Sequence, residues 1–105
     1  MRLPKSSGRP KKPRLFVIRR VAGDSMAPTL QAGRLVVGRP ARTWDAGDVV
    51  IVRHDGLEKI KRIKRREGGL VYLLGDNPAG STDSRSFGWL PAKDIVAKVI
   101  WPVRG

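Results

Sequence analysis

Asp48-Val49-Val50-Ile51-Val52-Arg53-His54-Asp55-Gly56-Leu57-Glu58-Lys59-Ile60-Lys61-Arg62-Ile63 is the stretch that decides the fold of this 105-residue chain. Val49 to Val52 are consecutive β-branched residues, which are stiff at χ1 and suit a pleated strand. Their unbroken run predicts a strand from Asp48 to Arg53 buried on both faces. His54, Asp55 and Gly56 read as a tight turn, because Asp-Gly tolerates the positive backbone angles a hairpin prefers. Glu58 to Arg66 is then expected to return as a second strand. Period-2 alternation puts Lys59, Lys61 and Ile63 on one face and Ile60 and Arg62 on the other.

Working outward, short β-type runs alternate with Gly, Pro and Asp, and no stretch sustains a helical period. Leu15 to Ala22 reads as a strand, Asp24 to Leu30 as a turn containing Pro28, and Arg34 to Arg39 as a strand. Pro40 to Gly47 is a loop bounded by two strand-breaking residues. After the hairpin, Glu67 to Gly69 turns, Leu70 to Leu74 is a strand, Gly75 to Gly88 is a polar loop, and Asp94 to Trp101 is a closing strand. The expectation is one small all-β domain of mostly antiparallel strands over residues 14–105. Residues 1–13, with Pro4, Pro10 and Pro13 and few apolar side chains, read as a basic disordered arm.

The chain carries 22 Lys plus Arg against 9 Asp plus Glu, a formal net charge of +13. Eight of those cations fall between Met1 and Arg20, where there is no acid, and Glu58 to Glu67 holds six more against two acids. The arm is thus expected to make peripheral contact with an anionic membrane surface, with no specific nucleic-acid partner. A chain with no Cys and one His, His54, excludes a thiolate zinc site, a Cys nucleophile and a His-based metal cluster. No metal and no cofactor are expected, so any catalysis rests on Ser, Lys, Asp or Glu. The longest apolar run, Leu70 to Leu74, is far shorter than the ~20 residues a spanning helix needs, and the N-terminus lacks a signal peptide's apolar middle. A cytoplasmic location is expected.

Three strings carry candidate chemistry. Gly23-Asp24-Ser25-Met26-Ala27-Pro28-Thr29-Leu30 sets a serine where a strand meets a tight turn, and taken by itself Asp24 or Ser25 reads as a turn cap. Gly75-Asp76-Asn77-Pro78-Ala79-Gly80-Ser81-Thr82-Asp83-Ser84-Arg85, followed by Phe87 and Gly88, reads by itself as a hydrogen-bonding loop in which Asp83 and Arg85 could pair. Within Glu58 to Ile63, a lone Lys taken by itself would face solvent.

In this order the strings resemble the signal peptidase I family, whose pattern runs Ser-Met-x-Pro-Thr-Leu, Gly-Asp-Val-Val, Lys-Arg, and Gly-Asp-Asn with Ser-x-Asp-Ser-Arg. Here these are Ser25 to Leu30, Gly47 to Val50, Lys61-Arg62, and Gly75 to Gly88. The resemblance implies a serine endopeptidase with a Ser/Lys dyad on a LexA-like all-β scaffold. It assigns Ser25 as nucleophile and Lys61 as general base. Ser81 would orient the Lys amine, and Asp76, Asn77, Asp83 and Arg85 would support the loop. A Lys works as a base only when neutral, so Lys61 must be desolvated, with Lys59, Arg62 and Lys64 pushing the same way. The oxyanion would be held first by the Ser25 N–H. A protein precursor is expected to bind as an extended peptide along a sheet edge.

The chain departs from the membrane-bound members in three places. Gly23 stands where some carry a second Ser, Ile63 to Gly69 replaces an inserted subdomain, and no transmembrane anchor is expected. The short form with Trp101-Pro102 looks like the nickel-type superoxide dismutase maturation proteases, which remove an N-terminal propeptide; the metal there belongs to the substrate. The rival reading is a non-catalytic basic module binding nucleic acid or an anionic membrane surface. LexA-like self-cleavage is disfavoured by the lack of length for a DNA-reading domain, and a Ser/His pair by the turn position of His54.

Overall fold

Strand β3 (Val49–His54) lies between two antiparallel partners, β4 (Leu57–Glu67) and β7 (Ile95–Trp101), in a computed structural model that describes residues 16–80 and 82–103. The expected arm at 1–13 lies outside the described residues, as does Ser81. The remaining strands are β1 (Val17–Arg20), β2 (Leu35–Arg39), β5 (Leu70–Leu74) and β6 (Leu90–Pro91). All pair antiparallel in one sheet of order β1-β2-β7-β3-β4-β5-β6. The molecule is all-β, with helix confined to short turns and α1 (Ser84–Phe87).

The β-branched run is buried on both faces, with Val49, Val50, Ile51 and Val52 each 0% exposed. Alternation sorts the four. Val49 and Ile51 enter a core with Val17, Val21, Met26, Leu30 and Val36, whereas Val50 and Val52 enter a second core with Ile63, Val71, Leu73 and Leu90. Burying each such side chain contributes roughly 1.5–3 kcal/mol, which is why this strand organises both layers. The hairpin turns at Asp55 (φ 53°) and Gly56 (φ 77°), both left-handed as the Asp-Gly pair suggested.

The closing strand expected at the C-terminus is β7, and it lies in the interior of the sheet, between β2 and β3, which leaves β1 as one edge among the described residues. Its register slips against both neighbours, between Val37/Gly38 and between Ile51/Val52. Local sequence does not specify such long-range pairing. The segment Gly75 to Gly88 is not loop throughout: Pro78–Gly80 forms a 3-10 turn and Ser84–Phe87 a helical turn. The cause is Asp83, whose Oδ1 accepts the Arg85 N–H as an N-cap.

Candidate active site

Ser25 follows β1 in a turn whose neighbours fix it. Met26 and Leu30, each 1% exposed, sink into the core, and the Leu30 N–H donates to the Met26 carbonyl at 2.8 Å. At its base, the Val21 N–H donates to the Arg34 carbonyl and the Gly33 N–H to the Val21 carbonyl, both at 2.8 Å. The apolar residues of the string thus anchor the turn while Ser25 remains half-buried. The Ser25 N–H has no acceptor among the described residues.

Lys61 sits on β4 opposite Val50 and is only 4% exposed, sharing its buried face with Ile63. Burial is the main cause that lowers its pKa from 10.5; the Asp83 carboxylate acts against it, and the Lys59 and Arg85 cations add to it. The sequence reading named Arg62 and Lys64 among the helping cations. Arg62 is instead held by a carboxylate: its Nε and NH2 donate to the two Asp76 oxygens, each at 2.9 Å.

Asp76 joins all three strings. Besides Arg62 it accepts the Thr29 hydroxyl at 2.6 Å, and its own N–H points to the Met26 sulfur at 3.4 Å. Next to it, the Asn77 N–H donates to the Ser25 carbonyl at 2.8 Å and the Asn77 side-chain amide to the Asp24 carbonyl at 3.1 Å. Further on, buried Asp83 takes Arg85 in a bidentate pair at 2.9 and 2.7 Å and accepts the Gly75 N–H at 2.9 Å. The Ser84 hydroxyl accepts the Leu73 N–H at 2.8 Å, fixing the loop to β5. Sequence reasoning assigned no role to Thr29, Ser84 or Gly80. The signal for Thr29 lay in the first string, but its partner is 47 residues away.

Ser25 and Lys61 line one cleft of about 300 Å³, together with Ile51 and Ile60 and with Gly80 and Thr82 from the string that begins at Gly75. His54 is not part of it; the ring stacks on Phe87 with centroids 4.4 Å apart, and Nδ1 lies 3.1 Å from the Lys59 amine. The cleft is therefore lined by a half-buried serine that carries a hydroxyl and an N–H, and by a buried lysine. These are the groups an acyl-transfer site needs.

A family model described as Peptidase S24-like matches residues 1–100. The chain belongs to the Peptidase S24-like family. Among its relatives, mitochondrial inner membrane protease subunit 1 of Schizosaccharomyces pombe is 36% identical over 118 residues, covering 84% of this chain and 75% of that protein. The LexA repressor of Mycobacterium leprae is 36% identical over 93 residues, covering 86% of this chain but 36% of the repressor. The resemblance to signal peptidase I and the LexA-like all-β fold expected from it agree with this membership. Membership makes the chain peptidase-like. No helix among the described residues is long and apolar enough to cross a membrane.

Proposed function

We propose that this chain is a serine endopeptidase of the signal peptidase I type, in which Ser25 is the nucleophile and Lys61 the general base. The observation that carries the reading is the shared cleft, in which Lys61 is buried and its pKa lowered by desolvation. In this mechanism the neutral Lys61 amine takes the Ser25 proton as Oγ attacks the scissile carbonyl. The resulting ammonium passes that proton to the departing amine, and water, deprotonated by the same amine, then releases the acyl group. The oxyanion is met by the Ser25 N–H, a donor of a kind that contributes ~3 kcal/mol. Ser81 orients the amine through its hydroxyl. Asp76, Asn77, Asp83 and Arg85 hold the loop that keeps Ser25 and Lys61 in register.

The substrate is a protein precursor that binds as an extended peptide along the β1 edge of the sheet and loses an N-terminal propeptide or signal segment. A nickel superoxide dismutase precursor is the substrate we name first, its metal being the substrate's own. The enzyme works in the cytoplasm, with its basic arm in peripheral contact with anionic lipid. The test co-expresses the chain with such a precursor and with a secretory precursor, and reads each N-terminus by mass spectrometry. Ser25→Ala and Lys61→Met are each expected to abolish cleavage in a folded protein. Substantial cleavage by Lys61→Met overturns the dyad. A Ser25→Ala variant that keeps every function while association weakens steeply with salt indicates a non-catalytic basic module instead.

A further inference from the structure

The cleft continues beyond Ser25 and Lys61 to an ion pair that the mechanism does not use. Arg19 of β1 reaches Glu58 of β4, Nε to Oε1 at 2.6 Å and NH2 to Oε2 at 3.1 Å, and both side chains line the cleft. Their strands are far apart in the sheet order, so the pair bridges two walls. Glu58 precedes Lys61 by three residues of strand, so at about 3.3 Å per residue their Cα atoms are on the order of 10 Å apart, with the two side chains leaving opposite faces of β4. A substrate laid along the cleft in extended form reaches the ion pair with a side chain two to four residues from the scissile bond.

Donors outnumber acceptors at this end. Both Glu58 oxygens are engaged, Oε2 doubly, because Arg53 NH2 also approaches it at 3.3 Å. A guanidinium has five N–H donors. Arg19 uses its Nε and NH2 on Glu58 and its NH1 on the Ile18 carbonyl at 3.0 Å, and Arg53 makes one bond to Glu58, so unspent donors remain on both. Arg20 and Lys59 line the same cleft, and its other acid, Asp24, belongs to the Ser25 turn. An incoming ammonium meets a carboxylate that already accepts three guanidinium N–H bonds, and several cations. An incoming carboxylate meets spare guanidinium N–H groups.

We infer that this end of the cleft selects an acidic side chain of the bound peptide, with Arg19 as the specificity-determining residue and Glu58 holding it in place. The inference rests on the cleft being the substrate site of the proposed peptidase. It is tested on the full chain with internally quenched alanine decapeptides in which Asp or Lys is scanned along the sequence, mass spectrometry fixing the bond cut. At one position two to four residues from that bond, Asp is expected to exceed Lys in kcat/KM by about fivefold, the range of an exposed charge pair, and to lose the advantage in high salt. Arg19→Glu should invert the order and Arg19→Gln should level it, each read as the Asp-to-Lys ratio of kcat/KM within one variant.

An unchanged Asp preference in Arg19→Glu, or no charge preference at any position in the parent, overturns the inference and leaves the catalytic reading intact. Binding of fluorescein-labelled Asp and Lys peptides to Ser25→Ala, read by anisotropy, separates the two claims. Asp-selective binding that Arg19→Glu inverts, in a protein that cuts none of the peptides, upholds the acidic subsite and sinks the peptidase. Absence of both cleavage and charge-selective binding overturns both.

Discussion

Asp76→Ala removes one carboxylate that three separate parts of the chain share. It deletes a bidentate pair with Arg62 at 2.9 and 2.9 Å and the 2.6 Å bond from Thr29. Hydrogen bonds to charged groups contribute roughly 1.5–3 kcal/mol when buried. The Asp76 and Arg62 side chains are 18% and 30% exposed, so solvent screens part of this, and the whole set is expected to be worth about 2 kcal/mol. In a domain of this size that lowers the thermal midpoint by roughly 8–16 °C at neutral pH, read by circular dichroism. A cycle with Arg62→Ala should return a coupling of about 1 kcal/mol. The sign of the pH dependence follows from the pKa. Hydrogen bonding from Arg62, and then from Thr29, holds Asp76 below its ordinary 3.8. The stabilisation is therefore complete above that value and is lost as pH falls through the lower, folded one. The gap between parent and variant should close in strong acid. A midpoint loss under about 3 °C at neutral pH, or a gap that persists unchanged in acid, refutes the shared-carboxylate argument.

Lys61→Met should cost all cleavage yet raise thermal stability at neutral pH, because burial penalises the ammonium it removes. As the parent's stability climbs with pH between the lowered pKa and 10.5, the difference should vanish near the top of that window; a parent that is the more stable at neutral pH counts against desolvation. Asp83→Asn keeps an acceptor for the Gly75 N–H but removes the charge that opposes desolvation and leaves Arg85 uncompensated, so both changes lower the Lys61 pKa. The rising limb of its pH–rate profile should move to lower pH, and a shift upward would contradict the coupling. Gly80→Ala brings a methyl 2.9 Å from the Asn77 amide nitrogen, which must leave the Asp24 carbonyl; turnover should fall several-fold while the thermal midpoint moves by less than about 8 °C, the equivalent of 1 kcal/mol.

The strands were legible wherever one residue's chemistry settled its neighbours. Val49 to Val52 needed only β-branching, and Asp55-Gly56 only a backbone angle. The interior position of β7 was not legible, since it depends on pairing Ile95–Trp101 with strands some forty to sixty residues earlier and on two register slips. α1 was hidden because its cap, Asp83, is the same residue whose charge reads as a salt bridge with Arg85. Lys61 is the sharpest case. Surrounded by Lys59, Arg62 and Lys64 it reads as a solvent-facing lysine, and only the packing of other segments buries it. The family resemblance, not the alternation, singled it out.

In the proposed mechanism a base is most useful when its pKa lies near the working pH, since a base too weak abstracts no proton however neutral it is. Desolvation and the Lys59 and Arg85 cations all drive the Lys61 pKa down, and one group acts against them as a counterweight. The counterweight is Asp83, buried at 1% exposure and itself tied to Arg85. The Arg85 pair thus has a second consequence: it offsets part of the Asp83 charge that Lys61 feels. Arg62, the residue next to Lys61, is removed from the balance by Asp76. Each cation near the amine except Lys59 is therefore matched to a carboxylate of the Gly-Asp-Asn loop. In that mechanism one loop biases the basicity of the lysine through Asp83 and ties down the serine turn through Asp76 and Asn77.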